Sequence, residues 1–254
     1  AKEKNSNAYP IHIKIDTGMH RLGFEKNNIS ELITLLQYNN FVKVTSIFSH
    51  LATSDDLNFA AFTLHQIQLF ETISKQISTE LNIQPIRHIL NTSGIFNYSE
   101  YQYEMVRLGI GIYGVGNSKE EQGSLENVST LKSIISQIRT VEPNESIGYS
   151  RKFMVKKEMR IATIPIGYAD GIRRAWGNEK GFVSINNQKA TILGNVCMDM
   201  LMVDVTHINC KERDEVTIFG ENPHVNEIAS VCQTIPYEIL TSISQRVKRI
   251  FYKN

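Results

Sequence analysis

The feature that most constrains the fold of this chain is the segment IHIKIDTGMHRLGF, residues 11–24. Its isoleucines alternate with polar side chains, which predicts a short β-strand with one apolar and one polar face. Gly18 breaks the alternation and begins a turn that presents Arg21. Lys14 and Arg21 lie at opposite ends of this turn, an arrangement that could direct two cations at one small anionic ligand. The segment therefore predicts a strand followed by a functional loop.

The first half of the chain alternates between strand and helix patterns. Runs of β-branched and aromatic residues predict strands at residues 42–48, 86–90 and 105–113. Apolar residues spaced three to four apart predict helices at residues 30–38 and 56–79, with a weaker helical pattern at 96–103. Repeated strand–helix units imply parallel strands joined by right-handed crossovers. This half is therefore predicted to form an open doubly wound sheet or a barrel.

A stretch with few apolar residues, 114–128, is the predicted linker. Beyond it the pattern changes to short strands separated by turn signals such as Asn186-Asn187. We predict strands at residues 131–140, 159–165, 182–185, 190–194, 200–205 and 215–219, and two closing helices at 225–234 and 237–247. The chain is therefore expected to contain a βα domain over residues 1–122 and a mainly β domain over residues 123–254.

The composition excludes several classes of function. A net charge of +1 over 254 residues, with dispersed basic residues, gives no electrostatic case for binding nucleic acid or a membrane surface. No apolar run approaches the roughly 20 residues of a membrane-spanning helix, and the first ten residues do not resemble a signal peptide. The three cysteines lack the C-x-x-C spacing of zinc sites and indicate reduced thiols. We therefore expect a cytoplasmic protein without a metal site.

Residues with catalytic chemistry follow the predicted strands, where parallel βα folds place their functional loops. Arg21 follows the first strand, His50 the second and Thr92 the third, and Arg107 lies within the fourth. Singly these signals are weak, because a histidine after a strand more often has a structural role and a glycine pair more often serves packing. Together, the Thr92 hydroxyl and the backbone N–H groups near Gly109 could hold a phosphate without a lysine.

Several motifs, in this order, resemble those of alanine racemases. They are KIDTGMHRLGF at 14–24, SHLAT at 49–53, HILNT at 88–92, VRLGIGIYG at 106–114, IGYS at 147–150, PIGYADG at 165–171, CMD at 197–199 and PYE at 236–238. Eight separated motifs in family order make a chance resemblance an insufficient explanation. Two positions depart from the family pattern. His20 stands where glycine is common, and Thr92 stands where serine is common but keeps the hydroxyl.

The resemblance implies a fold, an activity and a partner. The fold would be the back half of a (β/α)8 TIM-type barrel followed by a mainly β C-terminal domain. The activity would be that of an isomerase, an alanine racemase that uses pyridoxal 5′-phosphate to interconvert L- and D-alanine and supplies D-alanine for cell-wall peptidoglycan. The family forms homodimers, in which Tyr149, Tyr168 and Met198 would enter the barrel mouth of the opposite subunit.

The resemblance also assigns catalytic roles to individual side chains. Arg107 would face the pyridine nitrogen of the cofactor and keep its own proton, which makes the cofactor a weaker electron sink than an acidic partner would. Tyr149 would be one of two bases and take the α-proton of L-alanine, with support from His50. Arg21 would contact the phenolic oxygen of the cofactor and the substrate carboxylate. Lys14 matches a family lysine that is often carbamylated; the alternative is an ordinary lysine packed against the barrel.

Binding roles follow from the same resemblance. The residues that would bind the cofactor phosphate are Thr92, Gly109, Ile110 and Tyr237. The residues that would line the substrate entrance and the carboxylate pocket are Tyr168, Met198 and Asp199. Both sets come from motifs quoted above, and neither requires a metal ion.

The family lysine that carries the cofactor lies in a K-A-x-A-Y-G stretch upstream of the opening motif. No lysine among the 254 residues has that context. The chain therefore resembles the C-terminal portion of a racemase, and by itself it is expected to be inactive. Two alternatives are a racemase of broader specificity, acting on serine or other small amino acids, and a non-catalytic remnant that binds phosphate or a partner subunit. The joint presence of Tyr149, Arg107, His50 and Arg21 favours the racemase.

Overall fold

The structure, a computed structural model, describes residues 8–252. Most of the amino-terminal segment that was compared with signal peptides therefore lies outside the described residues. The chain divides into two compact units, Ala1–Glu126 and Asn127–Asn254. Within the described range, no helix has both the length and the apolar character needed to cross a membrane. Each unit is described by itself below.

The first unit contains a parallel three-stranded sheet with helices between its strands. Its strands are β1 (Tyr9–Lys14), β2 (Val42–Phe48) and β3 (Ile86–His88), paired in the order β1-β2-β3. Its helices are α1 (Ile29–Gln37), α2 (Ala60–Glu80), α3 (Thr92–Asn97) and α4 (Lys119–Gly123). The predicted alternation of strands and helices is confirmed, and α4 lies inside the segment that the sequence marks as a linker.

One apolar cluster holds this sheet to its helices. The alternation in β1 turns the side chain of Ile13 away from solvent, and Ile15 continues that apolar face just beyond the strand. The helical spacing of apolar residues in α2 places a second row against the sheet. The buried members from α2 are Ile67, Phe70, Ile73 and Ile77. The polar side chains of β1 consequently lie on the other face of the strand, together with the loops that follow β2 and β3.

The prediction of a fourth strand at residues 105–113 is wrong. A single backbone hydrogen bond joins the N–H of Arg107 to the carbonyl of Leu90, and the chain then forms a 3-10 turn at Ile110–Tyr113. Gly109 and Gly111 interrupt the run of apolar residues, and glycine in a strand has no side chain to pack and loses more backbone entropy. The described part of the first unit therefore has three strands where the sequence suggests four.

The helix predicted at residues 96–103 is also wrong in its position. Helix α3 begins earlier, at Thr92, and ends at Asn97. Tyr98, with φ −141° and ψ 41°, lies outside the helical region and stops it. A 3-10 turn at Ser99–Tyr101 follows. The earlier start places the amino-terminal end of α3 directly after β3, close to the loops that carry the candidate site.

The second unit is built on an antiparallel sheet of seven strands. They are β4 (Leu131–Ile134), β5 (Gln137–Val141), β8 (Met159–Ile164), β9 (Phe182–Ile185), β10 (Gln188–Leu193), β11 (Leu201–Asp204) and β12 (Glu215–Phe219), in the order β4-β12-β9-β10-β11-β8-β5. The short strands β6 (Ser146–Ile147) and β7 (Phe153–Met154) pair with each other, and helices α5 (Val225–Val231) and α6 (Pro236–Ser242) follow. The predicted mainly β domain is confirmed.

The single strand predicted at residues 131–140 is two strands. The chain crosses from β12 to β8 at Ile135 and Ser136, whose N–H groups donate to the carbonyls of Asp214 and Thr163. β4 and β5 therefore lie at opposite ends of the strand order. The residues on both sides of the crossing have strand propensity, so the local sequence does not show that the chain changes its strand partner here.

Candidate active site

In the first unit, the side chain of Arg107 is fixed by the loops that follow β2 and β3. Its Nη2 donates to the carbonyl oxygens of Ser49 at 2.7 Å and Ile89 at 3.2 Å. The same nitrogen lies 3.4 Å from Nδ1 of His50, and Nη1 contacts Nδ1 of His88. The guanidinium therefore has one orientation, defined by two carbonyls and two imidazoles.

The electrostatic environment keeps both imidazoles neutral. Burial and the nearby guanidinium of Arg107 lower the pKa of His50 from 6.5 to about 4. Burial and the same guanidinium lower the pKa of His88 from 6.5 to about 4. Burial also lowers the pKa of Arg107. An arginine starts so far above neutral pH that it remains a cation, while each neutral imidazole keeps one nitrogen as a hydrogen-bond acceptor.

A chain of polar groups extends from the buried His88 through the buried Ser46 to His12, which is exposed. Nε2 of His88 lies 3.1 Å from Oγ of Ser46, and that oxygen lies 2.5 Å from Nδ1 of His12. The His88 ring stacks on Phe48, with centroids 5.0 Å apart and planes 9° apart. Ser46 is completely buried. Since β1, β2 and β3 each contribute a member, the position of Arg107 depends on the register of all three strands.

The buried neutral state of His88 predicts a loss of stability in acid. Its folded-state pKa lies below the unfolded value of 6.5, so below pH 6.5 the unfolded chain binds a proton that the folded chain does not. The contribution of His88 to the free energy of unfolding is therefore fully present above pH 6.5. It is lost as the pH decreases towards 4, by roughly 3 kcal/mol for the full shift.

Urea unfolding at a series of pH values, followed by circular dichroism, measures this effect. The His88→Asn variant is expected to show a shallower decrease between pH 6.5 and 4 than the unsubstituted chain. His65→Asn serves as the control, because His65 lies exposed on α2. Parallel curves for the His88 variant and the unsubstituted chain would contradict the assignment.

Thr92 forms a small polar cradle with the loop after Arg107. Its Oγ1 accepts hydrogen bonds from the backbone N–H of Gly109 at 3.0 Å and of Gly111 at 3.3 Å. A hydroxyl that accepts twice can still donate its own proton. Ile110 begins a 3-10 turn and Thr92 begins α3, and the first N–H groups of a helical turn lack partners within it. Hydroxyl and backbone donors therefore converge without a carboxylate.

The shape of this cradle suits a phosphate group. A Cβ atom built on Gly109 would lie 3.6 Å from Oγ1 of Thr92, in the space beside the hydroxyl. A Cβ atom on Gly111 would come within 2.9 Å of Cγ2 of Thr92. Glycine at position 111 thus keeps the backbone close to Thr92, which is itself buried, and a side chain at position 109 would occupy the space beside the hydroxyl. The residues present fit the phosphate end of pyridoxal 5′-phosphate, and Arg107 fits its ring nitrogen as a donor.

The loop after β1 is folded around the carboxylate of Asp16. Its Oδ1 accepts from the N–H groups of Gly18 at 2.8 Å and His20 at 3.1 Å. Burial alone would raise the pKa of Asp16, but these hydrogen bonds, together with the charges of His20 and Lys14, outweigh it and the pKa is lowered. His20 has φ 52°, a left-handed conformation that costs a residue with a Cβ atom and suits glycine. Histidine in place of the glycine common at position 20 therefore costs conformational energy in this loop.

Lys14 and Arg21 flank this loop as the sequence suggests. Nζ of Lys14 donates to the carbonyl of Leu22 at 2.6 Å. Burial lowers the pKa of Lys14, Asp16 opposes that change, and the positive charges of Arg21 and Arg107 add to it. The Arg21 side chain is exposed. The first unit thus concentrates three cations, Lys14, Arg21 and Arg107, near the ends of its strands.

In the second unit, two loops that carry candidate residues are tied together. The N–H of Tyr168 donates to the carbonyl of Cys197 at 3.0 Å, and the N–H of Ala169 donates to that of Met198 at 2.9 Å. Asp199 forms an ion pair with Arg246 at 2.6 Å. Tyr168 and Met198 are well exposed, as is Tyr149, whose side chain is 69% accessible. Tyr237 lies in the first turn of α6, with Pro236 at its start.

The structure thus gathers the sequence-predicted residues into two groups. The first group belongs to the first unit: Lys14, Arg21, His50, Thr92, Arg107, Gly109 and Ile110. The second belongs to the second unit and includes Tyr149, Tyr168, Met198, Asp199 and Tyr237. Sequence reasoning missed His12, Ser46 and His88, although the polar face of β1 and the histidine at the end of β3 were signals. It also missed Arg246, the ion-pair partner of Asp199, and Asn195, whose side chain donates to the carbonyl oxygen of Tyr149; no local pattern gives a signal for either residue.

The comparisons with known proteins identify domains in both units. Residues 1–117 match the family model of the alanine racemase N-terminal domain. Residues 128–251 match the model of the alanine racemase C-terminal domain.

Individual alanine racemases align with nearly the whole chain. An alanine racemase of Helicobacter acinonychis is 38% identical over 98% of this chain and 69% of its own length. Alanine racemase 1 of Clostridium acetobutylicum is 36% identical over 100% of this chain and 67% of its own length. The chain therefore spans about two thirds of the relatives that it matches.

Solved structures give the same result. The alanine racemase of Streptomyces lavendulae has a TM-score of 0.92 and 28% identity, covering 100% of this chain and 68% of its own. The alanine racemase of Bartonella henselae, solved with covalently bound pyridoxal phosphate, has a TM-score of 0.85 and 32% identity, covering 99% of this chain and 68% of its own.

Proposed function

Because the chain belongs to the alanine racemase family of isomerases, which depend on pyridoxal 5′-phosphate, we propose that, together with a segment that carries the family's cofactor lysine, it interconverts L- and D-alanine by a two-base mechanism with Tyr149 as one base. Its fold agrees with this family: part of a TIM-type barrel followed by a β-rich domain. The observation that carries the proposal is the fixed Arg107 guanidinium, held by two carbonyls and two neutral histidines.

When bound, pyridoxal 5′-phosphate withdraws electrons from the substrate and so makes the α-proton of alanine acidic. Arg107 would donate a hydrogen bond to the ring nitrogen of the cofactor without releasing a proton, because an arginine remains a cation at neutral pH even where burial lowers its pKa. Thr92, Gly109, Ile110 and Tyr237 would bind the phosphate. The site's own residues therefore limit how strongly the cofactor withdraws electrons, which favours return of the proton over side reactions.

Tyr149 would remove or return the α-proton on one face of the substrate. Inversion at a carbon requires one base on each face, so Tyr149 accounts for one direction and the cofactor-bearing lysine of the family for the other. A tyrosine has an ordinary pKa of about 10 and needs polar support to act as a base near neutral pH. His50 would give that support, since its ring is neutral and already oriented by Arg107.

Substrate binding would combine a cation with polar groups of the second unit. Arg21 would bind the carboxylate of alanine, and its exposed side chain can reach a ligand. Tyr168, Met198 and Asp199 would line the entrance. The interlocked loops that carry these three residues support a common role.

Complete sites would form in a homodimer. The first unit of one copy would supply Arg107, His50 and Arg21, and the second unit of the other would supply Tyr149 and Tyr168. The exposure of Tyr149, at 69%, and of Met198, at 54%, supports a role for these side chains at a surface that meets another copy. The enzyme would work in the cytoplasm and supply D-alanine for peptidoglycan, and growth dependence on D-alanine after gene deletion would test that role.

Lys14 would be carbamylated in the working enzyme. Its lowered pKa increases the fraction of neutral amine, which adds to CO2 with loss of a proton. The resulting anion would lie near Arg21 and Arg107 and could orient Arg21. The hydrogen bond from Lys14 to the carbonyl of Leu22 describes the unmodified amine. Carbon-13 NMR in labelled bicarbonate distinguishes the two forms.

On its own, the 254-residue polypeptide is expected to show no alanine racemisation, because none of its lysines has the family context. Reduction with borohydride is expected to attach no pyridoxyl group to it. Fused behind an amino-terminal segment that carries the family's lysine motif, the same residues are expected to racemise alanine and to yield a pyridoxyl-lysine on reduction with borohydride. A coupled D-alanine assay and mass spectrometry measure them.

The matched control is the fusion with the motif lysine changed to arginine, which should bind the cofactor without racemising alanine. Activity of the unfused polypeptide would contradict the expected inactivity. A folded, cofactor-bound fusion without racemase activity would contradict the proposed function itself.

A further inference from the structure

The turn that carries Tyr149 has an unusual backbone. Gly148, Ser150 and Arg151 all have positive φ angles, of 75°, 61° and 50°. Glycine adopts this region freely, but a residue with a Cβ atom pays conformational energy there. Two consecutive non-glycine residues in the left-handed region, next to a candidate base, mark a turn that the surrounding structure must impose.

Side chains on both sides hold this turn. Nδ2 of Asn195 donates to the carbonyl oxygen of Tyr149 at 3.1 Å, and Oδ1 of Asn195 accepts from Nδ2 of Asn178, also at 3.1 Å. Nε of Arg151 donates to Oγ of Ser146 at 3.1 Å. The carboxamide of Asn195 is therefore oriented by a partner of its own, so that its donor faces the Tyr149 backbone.

The space at the start of the turn is also restricted. A Cβ atom built on Gly148 would lie 3.1 Å from Cε of Met202, which belongs to β11. The backbone N and O atoms of Asn195 would lie 3.7 Å and 3.8 Å from the same Cβ atom, so the start of the turn passes close to both Met202 and Asn195. These contacts fix the Tyr149 backbone, although its side chain is largely exposed.

We infer that the left-handed turn at residues 148–151 and the Asn195 carboxamide form a positioning device for the Tyr149 phenol. Ser150 and Asn195 are positioning residues: they act through the Tyr149 backbone and do not touch the substrate. The inference rests on the proposed role of Tyr149 as a base. The strained backbone would restrict the directions in which the exposed side chain of Tyr149 can point.

Ser150→Gly separates this role from a purely structural one. Glycine accepts φ 61° without steric cost, so the variant should keep or raise the melting temperature. In the cofactor-loaded racemase that carries this chain, kcat should nevertheless fall by about tenfold with little change in KM, because the base is held less firmly. Asn195→Ala should lower kcat in the same way by removing the donor to Tyr149.

The matched control is Asn187→Gly in the β9–β10 turn, where Asn187 has φ 61°. It also places glycine at a left-handed position, where asparagine itself pays little conformational energy, so its melting temperature should not fall and kcat should stay unchanged. A second measurement is independent of activity. With 3-fluorotyrosine incorporated, the fluorine resonance of Tyr149, assigned by its loss in Tyr149→Phe, should change its width or shift in Ser150→Gly but not in Asn187→Gly.

Wild-type kcat and an unchanged fluorine resonance in Ser150→Gly would overturn the positioning role. A fall in kcat in Ser150→Gly accompanied by an equal fall in Asn187→Gly would overturn it too, because a general effect of the added glycine would then explain both. If the loaded wild-type enzyme does not racemise alanine, the proposed function fails, and the fluorine resonance still decides whether the turn positions Tyr149.

Discussion

Replacing Tyr149 with phenylalanine in the cofactor-loaded racemase is expected to lower kcat by about 10² to 10⁴-fold, the usual contribution of a positioned general base. Phenylalanine keeps the ring and its packing but has no group that can accept a proton. The remaining base would serve only one face of the substrate. Racemisation in both directions should therefore be affected, and a coupled assay from L- and from D-alanine measures it.

Hydrogen exchange in deuterated water shows which face has lost its base. The Tyr149→Phe enzyme should stop exchanging the α-hydrogen of L-alanine but should still exchange that of D-alanine. Tyr252→Phe is the control, because the Tyr252 side chain is 84% exposed and belongs to no candidate site. Continued exchange from L-alanine at the wild-type rate would remove Tyr149 from the mechanism.

The same variant tests whether sites are shared between copies. Tyr149→Phe and Arg107→Ala proteins, each strongly impaired alone, should regain activity when mixed and allowed to exchange subunits. One site of the mixed dimer then combines an intact Tyr149 with an intact Arg107. Absence of recovery in a mixture proven to contain mixed dimers would argue against sites built from two copies.

Replacing Thr92 with valine is expected to destabilise the first unit and to weaken cofactor binding together. Valine keeps the volume and the methyl group of threonine, but no oxygen remains to accept from the N–H groups of Gly109 and Gly111. Each buried donor left without a partner costs about 1–3 kcal/mol. Gly111 is buried whereas Gly109 is exposed, so only the Gly111 donor carries this cost. The free energy of unfolding should therefore fall by at least about 1 kcal/mol, as measured by urea denaturation.

Thr92→Ser is the matched control for this variant. Serine keeps the hydroxyl and loses one buried methyl group, which costs about 1 kcal/mol. Its affinity for pyridoxal 5′-phosphate, measured by titration, should stay near that of the wild type, whereas the valine variant should bind much more weakly. Equal affinities for the two variants would show that the hydroxyl does not bind the phosphate.

The sequence predicts much of this fold, because the main elements follow from local periodicity. The alternation of β1 and the three-to-four spacing of α2 are visible without tertiary information, and both elements are present. The segments at 105–113 and 131–140 were misjudged for a different reason. The first has strand-forming residues interrupted by glycines, and the second exchanges strand partners, and only tertiary hydrogen bonds decide these outcomes.

The candidate site is predictable to a similar degree. Arg107, His50 and Thr92 were found because they lie in motifs that follow strands, and the structure brings them to one end of the sheet. The chain from His12 through Ser46 to His88 depends on strand register, which pairs His12 with Ser46 and Phe48 with His88. The contact of Asn195 with the Tyr149 backbone joins residues 46 positions apart. Motifs locate reactive groups, whereas the groups that orient them come from distant parts of the chain.

The crossing between β4 and β5 has a consequence for how the second unit acquires its structure. These strands are adjacent in the chain yet complete opposite ends of the seven-stranded order, on β12 and β8. β5 pairs with β8, which follows soon after it, whereas β4 pairs with β12, the last strand of the sheet in the chain, so a nascent polypeptide cannot finish the β4 end until β12 has been synthesised. Non-local pairing of this kind raises the contact order and slows folding. The second unit should consequently complete its native sheet late, after the ribosome has synthesised the chain through β12.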